Sequence, residues 1–435
     1  MSLTPALPNS RPPQARGDER AEELSAADPL LLWEWLFLHV ILAVASYALS
    51  LQPQVQSLSW YLIYLLSLGL FLLRYGVFLN ALWLSVPLLL WPAIAVLSYF
   101  WSDVPSQSLR TGIQLGMTVL ISLYLGARFS LFDITRALFV VLALTALASL
   151  PLILLHVGFA FDNNGVARGI FPHKNVLGGR MVLLLLCSLL LFIQGWHRLT
   201  TLCFAALALV LIGFSQSSTA IVMTLGLCVV APVLLTRAAP GPLRFFAYMA
   251  GIVALAVAVW ILLAFDLDPV GMALEALGKE RTLTGRSVLW EFAVKLIEER
   301  PLLGNGFDAF WNSGIASAGH FVQSVVQAEV KNFHNSYLDI TVQLGFIGLA
   351  AAVIFLLLFA WRALALLRAD HAPLAALPTF FLLFVLAYSL SEYALFRQHS
   401  LIQLLLGMFY VSAALALPEP GPSRRQASTA SLPAT

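Results

Sequence analysis

The sequence predicts an all-α, polytopic membrane protein with about 12 transmembrane helices and one long periplasmic loop that contains amphipathic helices. Three observations predict this fold class. Of the 435 residues, 60% are hydrophobic and only 11% are charged, and the mean hydropathy is +0.88. A soluble domain has about a quarter of its residues charged, so a water-soluble enzyme is excluded. The apolar residues are sufficient for about twelve spans of roughly 20 residues each. The net charge of +2 is too small to indicate a nucleic-acid partner.

The order of polar and apolar segments divides the chain into five parts. Residues 1–28 are rich in Pro, Arg, Asp and Glu and predict a disordered cytoplasmic tail, and residues 417–435 predict a second one. Nine membrane helices are predicted within 29–264 and three more within 337–416, with a periplasmic catalytic loop over 265–336 between them. The predicted spans are 30–50, 57–73, 77–100, 109–127, 131–156, 176–195, 199–214, 219–236, 245–264, 337–361, 375–391 and 399–416.

The basic residues in the short connections predict the orientation in the membrane. With the N-terminus inside, the inner connections and their helix ends hold eight arginines. The outer ones hold four basic residues, which are Arg110, Arg168, Lys174 and Arg397. Cytoplasmic loops carry an excess of Lys and Arg. Both tails are therefore predicted in the cytoplasm, and the long loop is predicted on the outer face.

The long loop holds 15 of the chain's 46 charged residues. From Arg286 to Arg300, apolar and charged residues fall on opposite helical faces, which predicts an amphipathic helix that ends at Pro301. A glycine-rich turn at 304–306 follows. The aromatic residues after the turn are of the type that lies at a membrane interface, and we predict that position for Phe307, Phe310 and Trp311.

The segment before the sixth predicted span contains the first candidate site. Its sequence is Phe-Pro-His-Lys-Asn at 171–175, and Arg180 follows inside the span. The N–H groups at a helix N-terminus bind anions. An arginine within a span is costly unless it is paired or faces a wet cavity. The candidate anion ligands are therefore His173, Lys174, Asn175 and Arg180. The structural alternative is that Lys174 is an interfacial anchor and that Arg180 forms an ion pair with Glu392.

Two further candidate sites lie in the predicted periplasmic loop, one at the start of the amphipathic helix and one directly before the tenth predicted span. Arg286 begins the amphipathic helix, where its guanidinium fork suits a diphosphate or a carboxylate. The alternative is a solvated surface arginine. His334 and Asn335 come directly before the tenth predicted span, at the water–lipid boundary. A histidine there titrates near neutrality and can take a proton from a hydroxyl. The alternative is an interfacial histidine with no catalytic duty.

Asp266 and Asp268 follow the ninth predicted span. Alternating carboxylates can hold a divalent metal against a diphosphate, but two aspartates also make an ordinary helix exit. The sequence has no His/Cys cluster for zinc, no Gly-x-Ser-x-Gly elbow and no Walker-type lysine loop. We therefore predict no cofactor and no metal site. Whether these two aspartates bind a metal stays open at this point.

Six short strings, taken in chain order, resemble a known family. Thr-Gly-Arg at 284–286, Arg-Pro-Leu-Leu-Gly-Asn-Gly-Phe at 300–307, His-Asn-Ser-Tyr-Leu at 334–338 and Leu-Gly-Phe-Ile-Gly at 344–348 resemble the O-antigen ligase and polymerase superfamily. Trp-Ser-Asp-Val-Pro at 101–105 and Phe-Pro-His-Lys-Asn at 171–175 are most similar to its exopolysaccharide-polymerase branch, the type that assembles succinoglycan.

The resemblance implies a multi-pass glycosyltransferase of the bacterial inner membrane, with its active site facing the periplasm. Its donor would be an oligosaccharide on a polyprenyl-diphosphate carrier in the lipid bilayer, and its acceptor would be a glycan. Polysaccharide export machinery is a further candidate partner. The family works without a metal and needs a loop arginine and a loop histidine, which correspond by motif to Arg286 and His334. Lys174 and Arg180 match only the closest branch. Relatives often carry a basic residue in the turn after the seventh span, where this chain has Ser-Gln-Ser-Ser-Thr at 215–219.

These residues and this chemistry give a mechanistic hypothesis. The predicted catalytic residues are His334 and Arg286, and the predicted diphosphate-binding residues are Lys174, Arg180, His173, Asn175 and Asn335. Arginine and lysine would stabilise the departing diphosphate, the histidine would take the acceptor proton, and a single displacement would invert the anomeric carbon. Polymerisation of exopolysaccharide repeat units is the leading hypothesis, and attachment of glycan to the lipid A core is the alternative within the family. A polysaccharide or lipid-linked glycan transporter is the alternative of another class, although transporters usually show two similar halves.

Overall fold

The computed structural model describes residues 28–47, 53–236, 249, 286–313, 331–369 and 372–417. Across these ranges the chain is helical, with an isolated β-bridge and no strand, so the predicted all-α class is confirmed. The α-helices described there are α1 Leu31–Ala45, α2 Pro53–Leu73, α3 Tyr75–Leu84, α4 Val86–Leu97, α5 Pro105–Arg128, α6 Leu131–Leu154, α7 Lys174–Ile193, α8 Arg198–Ser215, α9 Ser218–Leu235, α10 Arg286–Glu299, α11 Ser336–Ala369, α12 Leu377–Tyr388 and α13 Leu401–Ala416. Residues 1–27, residues 418–435 and the predicted span 245–264, apart from Met249, lie outside the described residues.

Several of the described helices are long and apolar enough to cross a membrane. They are Gln54–Leu73, Leu131–Leu154, Lys174–Ile193, Arg198–Ser215 and Ser336–Ala369. Four other apolar helices are shorter, with 10–17 residues. A helix of about 16 residues extends only about 24 Å, against a hydrocarbon core of about 30 Å. These helices indicate a multi-pass membrane protein, while the count of about twelve spans stays a prediction.

The third predicted span, 77–100, is not one straight helix. Helix α3 and the stretch Val86–Phe100 meet at a bend of 86°. Pro87 lies in the first turn of α4, and a proline there stops α3 from continuing because its ring collides with the preceding turn and it lacks an N–H. The Arg362 guanidinium donates to the carbonyl of Leu84 at this break, at 2.5 Å.

Helices α5 and α13 pack closely because small residues lie at their crossing. A side chain on Gly126 would come within 2.5 Å of the Met408 carbonyl oxygen, and one on Gly407 would overlap the Ser122 hydroxyl. The Ser412 hydroxyl donates to the Gly126 carbonyl at 2.8 Å. Small residues and hydroxyl bonds between helices commonly join membrane helices. This crossing therefore fixes the last helix against the centre of the bundle.

One end of α5 carries a buried ion-pair network. The Glu34 carboxylate on α1 is fully buried, and it accepts from Arg128 at 2.7 Å, from Arg74 at 3.3 Å and from the Tyr124 hydroxyl. Asp28 accepts from the same two arginines. A buried carboxylate is tolerated when its oxygens are paired. The network therefore joins the ends of α1, α2 and α5.

The long helix α11 is interrupted at Gly345, which has φ +62° and ψ −164°. The segment 301–306 fills the interruption. Its backbone groups pair with the N–H and C=O groups that the break leaves without helical partners, so the loop replaces the missing helical hydrogen bonds. The bonds are Asn305 N to Val342 O at 2.9 Å, Gly306 N to Gln343 O at 2.9 Å, and Phe346 N to Pro301 O at 2.7 Å.

The segment 101–105 joins the same unit. Trp101 donates through Nε1 to the Leu303 carbonyl at 2.8 Å, and Arg300 forms an ion pair with Asp103 at 2.7 Å. Three of the strings on which the family resemblance depends therefore bind one another. We call residues 101–105, 300–307 and 342–348 the loop anchor.

The amphipathic helix predicted from residue 286 to residue 300 is confirmed as α10, but the predicted interfacial position is wrong for Phe307 and Phe310, which are buried. Phe307 is 1% exposed and Phe310 is 3% exposed. Phe310 and Trp311 pack against Phe333 and against the apolar face of α10, with Leu289 among their neighbours. The two phenylalanine rings are inside the protein because the loop anchor turns the chain back beneath α10, and Trp311 is half-buried.

We expect Gly345→Ala to disrupt the loop anchor. The φ of +62° is unfavourable for alanine, and the added Cβ would overlap the Leu302 carbonyl. The backbone strain alone costs roughly 1–3 kcal/mol, so the purified variant should unfold in detergent at a lower temperature than the wild type. Gly213→Ala is the control, because nothing lies within 4 Å of its added methyl group. Equal melting temperatures for Gly345→Ala and the wild type would contradict this account of the break.

Candidate functional site

Helix α7 begins at the first candidate segment. His173 is its N-cap, and the Nδ1 of His173 accepts the N–H of Asn175 at 3.2 Å. Partial burial lowers the pKa of the His173 imidazole below its usual value, the Glu392 carboxylate acts in the opposite direction, and the Lys174 charge lowers the pKa further. A lowered pKa keeps the ring neutral near pH 7. The ring nitrogen is therefore available as the acceptor that caps the helix.

Asn175 connects α7 to two other parts of the chain. Its amide nitrogen donates to Oε1 of Glu392 at 2.6 Å, and its amide oxygen accepts from the Ser217 hydroxyl at 3.0 Å. Ser217 is the N-cap of α9, and Glu392 lies in the connection between α12 and α13. Asn175 thereby holds three elements together at one end of the helix bundle.

The Glu392 carboxylate also faces His334. Its Oε2 lies 3.7 Å from Nδ1 of His334, and this nitrogen is buried without a hydrogen-bond partner in the described part of the chain. A distance of 3.7 Å is too long for a hydrogen bond but within ion-pair range. The His334 side chain is 33% exposed. One edge of the ring therefore faces the carboxylate while another part of the ring is open to solvent.

The backbone of His334 is held in an uncommon conformation, with φ +51°. Its N–H donates to the side-chain oxygen of Asn332 at 2.9 Å. The N–H of the preceding residue, Phe333, donates to the buried Asp339 carboxylate at 3.0 Å, and the Phe333 carbonyl accepts from the Trp290 indole at 2.9 Å. A left-handed non-glycine residue persists only where its surroundings hold it, and such residues are concentrated at functional sites.

Asn335 caps the start of α11. Its amide oxygen accepts the N–H groups of Tyr337 and Leu338 at 3.0 Å and 3.2 Å, and its amide nitrogen donates to the Leu390 carbonyl at 3.3 Å. These bonds fix the residue that follows His334. Binding of a diphosphate by this amide would require some of these bonds to be exchanged.

Ser336 ties the same helix start to the connection that carries Glu392. Its hydroxyl donates to the Glu392 carbonyl at 2.8 Å and accepts the Ala394 N–H at 2.8 Å. Its own N–H donates to the Ser389 carbonyl at 2.8 Å. The backbone around Glu392 is therefore fixed relative to the backbone around His334.

Arg286 is the first residue of α10, and its side chain lies outside the described residues. Trp290 follows one turn later on the same helix face, and its indole donates to the Phe333 carbonyl. The start of α10 is therefore one helical turn from a residue whose side chain bonds to the residue before His334. The two residues predicted to be catalytic belong to neighbouring segments.

Arg180 lies in α7 and is only 6% exposed. Its Nε has no hydrogen-bond partner, and no ion pair joins it to Glu392 in the part of the chain that the structure describes. The structural alternative, in which Arg180 pairs with Glu392, is therefore wrong, because that carboxylate faces Asn175 and His334 instead. A buried guanidinium without a counter-charge is costly.

Sequence reasoning missed what Glu392 and Ser217 do in this site. Glu392 lies in the string Ser-Glu-Tyr at 391–393, which interrupts two apolar runs, and an ionisable residue at such a position commonly marks function. Ser217 lies in the 215–219 turn. The sequence singled out this turn only because relatives often carry a basic residue there and this chain does not. Neither position reveals its partner, because the partners come from other helices.

Asp266 and Asp268 lie outside the described residues, so the structure does not bear on the metal question at those positions. Within the described ranges, no group of three or more His, Cys, Asp or Glu residues is arranged to hold a metal ion.

Comparison with known proteins supports the motif resemblance. Residues 202–353 match a family model described as O-Antigen ligase. The chain is also 30% identical over 265 residues to the exopolysaccharide production protein ExoQ of Rhizobium meliloti strain 1021. The predicted resemblance to the O-antigen ligase-like superfamily is confirmed. This similarity is to the exopolysaccharide branch of the superfamily, and the two matches support a membrane glycan ligase or polymerase.

The extent of these matches is limited. The alignment with ExoQ covers 59% of this chain and 60% of that protein, so less than two thirds of the relative's length is matched. The range matched by the ligase model includes most of α8, all of α9 and α10 and the first part of α11, with His334. His173, Asn175 and Glu392 lie outside that range.

Proposed function

We propose that this protein is an inverting, metal-independent membrane glycosyltransferase that polymerises exopolysaccharide repeat units. It transfers a glycan from a polyprenyl-diphosphate carrier to a sugar hydroxyl on the periplasmic face of the bacterial inner membrane, and it needs no cofactor. The observation that carries this proposal is the meeting of His334, Glu392 and Asn175 at one helix end, in a chain whose residues 202–353 match an O-antigen ligase model.

His334 is the proposed general base. Because Nδ1 faces Glu392, the other ring nitrogen, Nε2, takes the proton of the acceptor hydroxyl while the hydroxyl oxygen attacks the anomeric carbon. The bond from that carbon to the diphosphate oxygen breaks, and the polyprenyl diphosphate leaves with the electron pair. The Glu392 carboxylate stabilises the imidazolium that forms. A single displacement from the opposite face inverts the anomeric carbon.

The diphosphate needs positive charge where its negative charge increases. In this proposal Arg286, Lys174 and Arg180 supply that charge, and the start of α7 contributes its N-terminal N–H groups. The remaining diphosphate-binding residues in the proposal are His173, Asn175 and Asn335. A diphosphate near Arg180 would also provide the counter-charge that this buried side chain lacks.

The proposed orientation has twelve spans, both tails in the cytoplasm and the site on the periplasmic side. The charge asymmetry of the short connections supports it. The loop anchor and the Glu34 network lie at opposite ends of α5, a helix of 24 residues, which is about 36 Å long. That length exceeds a hydrocarbon core of about 30 Å.

We expect His334→Ala and Arg286→Ala each to abolish detectable product in membranes supplied with a labelled lipid-linked donor. Loss of a general base lowers a rate by roughly 10²–10⁴-fold, and loss of one donor to a developing anion lowers it by roughly 10²–10³-fold. Protein levels in the membrane should not change. His156→Ala and Arg110→Ala are matched controls, because both side chains are exposed. Normal product from both His334→Ala and Arg286→Ala would contradict the proposed catalytic site.

We expect Glu392→Gln to slow transfer by roughly 10–100-fold, the effect of losing a hydrogen bond or contact to a charged group. Glutamine can still accept from Asn175 but carries no charge toward His334. Glu392→Asp keeps the charge and should recover part of the rate. Glu299→Gln, at the exposed end of α10, is the control. A wild-type rate for Glu392→Gln would show that the carboxylate does not assist His334.

The second candidate function is attachment of glycan to the lipid A core, and it is favoured by the family model itself, which is described as O-Antigen ligase. Deletion of the gene separates the two functions. We expect free exopolysaccharide to disappear while lipopolysaccharide stays intact, as measured by gel analysis of surface glycan. Lipopolysaccharide that lacks its O-antigen cap, with normal exopolysaccharide, would establish the ligase instead.

A further inference from the structure

An open cavity of about 440 Å³ lies against the loop anchor, where it is lined by Trp101, Asp103 and residues 300–304. This volume is in the range of small-ligand sites, which is roughly 300–1,000 Å³. Among the described residues, none of the proposed catalytic or diphosphate-binding residues lines the cavity. The mechanism proposed above therefore assigns it no role. We call it the anchor cavity.

The walls of the anchor cavity are held by hydrogen bonds within the protein. The Trp101 indole donates to the Leu303 carbonyl at 2.8 Å, and the Asp103 N–H donates to the Asn305 carbonyl at 3.1 Å. The backbone carbonyls of residues 301–302 accept N–H groups from α11. The wall is therefore formed without a ligand, which is usual for a binding site.

One ion pair supplies the charged groups of the anchor cavity. Nη1 of Arg300 lies 2.7 Å from Oδ1 of Asp103, and the two side chains are 46% and 38% exposed. This single contact leaves Oδ2 of Asp103 and the other N–H groups of Arg300 without a partner among the described residues. The wall thus presents hydrogen-bond donors and acceptors side by side with no net charge. Hydroxyl groups, which both donate and accept, match such a wall, whereas an anion would be repelled by Asp103.

Apolar groups form the rest of the wall. The Trp101 ring is half-buried, and the Leu302 and Leu303 side chains are 64% and 40% exposed. A sugar ring carries hydroxyls around its edge and C–H groups on its faces, so it needs polar and apolar neighbours together. An aromatic ring offers the apolar surface for such a face. A lipid acyl chain would suit the leucines but would bring hydrocarbon against the ion pair, which is unfavourable.

Helix α10 connects the anchor cavity to the His334 site. Arg300 follows Trp290 by ten residues, which is about 15 Å along a helix. The Trp290 indole donates to the carbonyl of Phe333, the residue before His334. A glycan whose reacting end is at His334 therefore needs only a few sugar units to extend as far as the cavity.

We infer that the anchor cavity is a subsite for an uncharged sugar unit of the glycan substrate, away from the reacting carbon. The inference rests on the proposed function and names a part of its glycan-binding surface. The Trp101 ring packs on a C–H face of the sugar, the Asp103 carboxylate accepts from one hydroxyl, and the Arg300 guanidinium donates to another. No bond forms or breaks there. Contacts remote from the chemistry hold the reacting end in place.

Binding of lipid-free oligosaccharides to the purified full-length protein tests the inference. The probe is a size-sorted mixture of uncharged oligosaccharides from partial acid hydrolysis of the source bacterium's surface polysaccharide. It should raise the melting temperature of the wild type. Asp103→Asn and Arg300→Gln should each weaken the apparent affinity roughly tenfold or more, the effect of losing a hydrogen bond to a charged group. Both variants should fold, because an exposed ion pair contributes little to stability. Arg110→Gln, which removes an exposed arginine bonded to Gln107, is the control.

A third variant blocks the cavity and leaves the ion pair in place. Leu302→Trp puts a larger side chain into the cavity and should also weaken binding, whereas Leu155→Trp, at an exposed leucine outside the cavity, is its control. Wild-type affinity in Leu302→Trp would overturn the inference, and if that variant does not fold, wild-type affinity in Arg300→Gln would do so. The absence of any shift in the wild type would also overturn it. A shift caused by phospholipid instead of oligosaccharide, and lost in Leu302→Trp, would assign the cavity to lipid and overturn the inference as well.

Failure of the proposed function would give a different pattern. With a labelled lipid-linked donor, Arg300→Gln should raise the KM for the glycan and leave kcat unchanged, because it removes binding that is remote from the reacting carbon. His334→Ala should make no product yet bind the oligosaccharides as the wild type does. Oligosaccharide binding in the cavity without any transfer by the wild type would support the subsite and contradict the transferase. Wild-type binding and transfer in Arg300→Gln would contradict the subsite and leave the transferase supported.

Discussion

The backbone pairing between the interrupted helix α11 and the segment 301–306 is the constraint on which the rest of the site depends. A helix that breaks near a membrane frees N–H and C=O groups, and these need partners where water is scarce. The loop anchor supplies the partners, and the same turn of chain carries Phe310 into the small core under α10. His334 precedes the break. Its position is therefore set by the loop anchor and by α10 rather than by the part of α11 that follows Gly345.

Charged side chains occur in two different environments in this chain. At one end of α5, Glu34 and Asp28 accept from Arg74 and Arg128, and these bonds join three helices. At the site, Arg180 has no carboxylate in ion-pair contact within the described chain. With only 11% of its residues charged, the protein has few such groups. The paired charges join helices, whereas the unpaired buried Arg180 is the residue for which the proposed function supplies a counter-charge, the substrate diphosphate.

Composition and helical periodicity were sufficient to predict the all-α class and helix α10, because both follow from how much apolar surface must be buried and on which face. The strings at 300–307 and 344–348 could be recognised in the sequence, but the contact between them could not be predicted. Backbone N–H and C=O groups make this contact, and the amino-acid sequence does not show which backbone groups pair. The approach of Glu392 to His334 also could not be predicted from the sequence. It depends on how the connection between α12 and α13 folds over the start of α11, and no local pattern encodes that packing.

The single hydroxyl of Ser336 donates to the Glu392 carbonyl and accepts the Ala394 N–H. The backbone segments that carry His334 and Glu392 are therefore held together as one rigid unit. Among its described side chains, α10 contacts the segment before His334 through the Trp290 indole and through apolar side chains. Apolar contacts shift more readily than a network of short hydrogen bonds, so in the proposed transferase the substrate would be loaded and released on the α10 side.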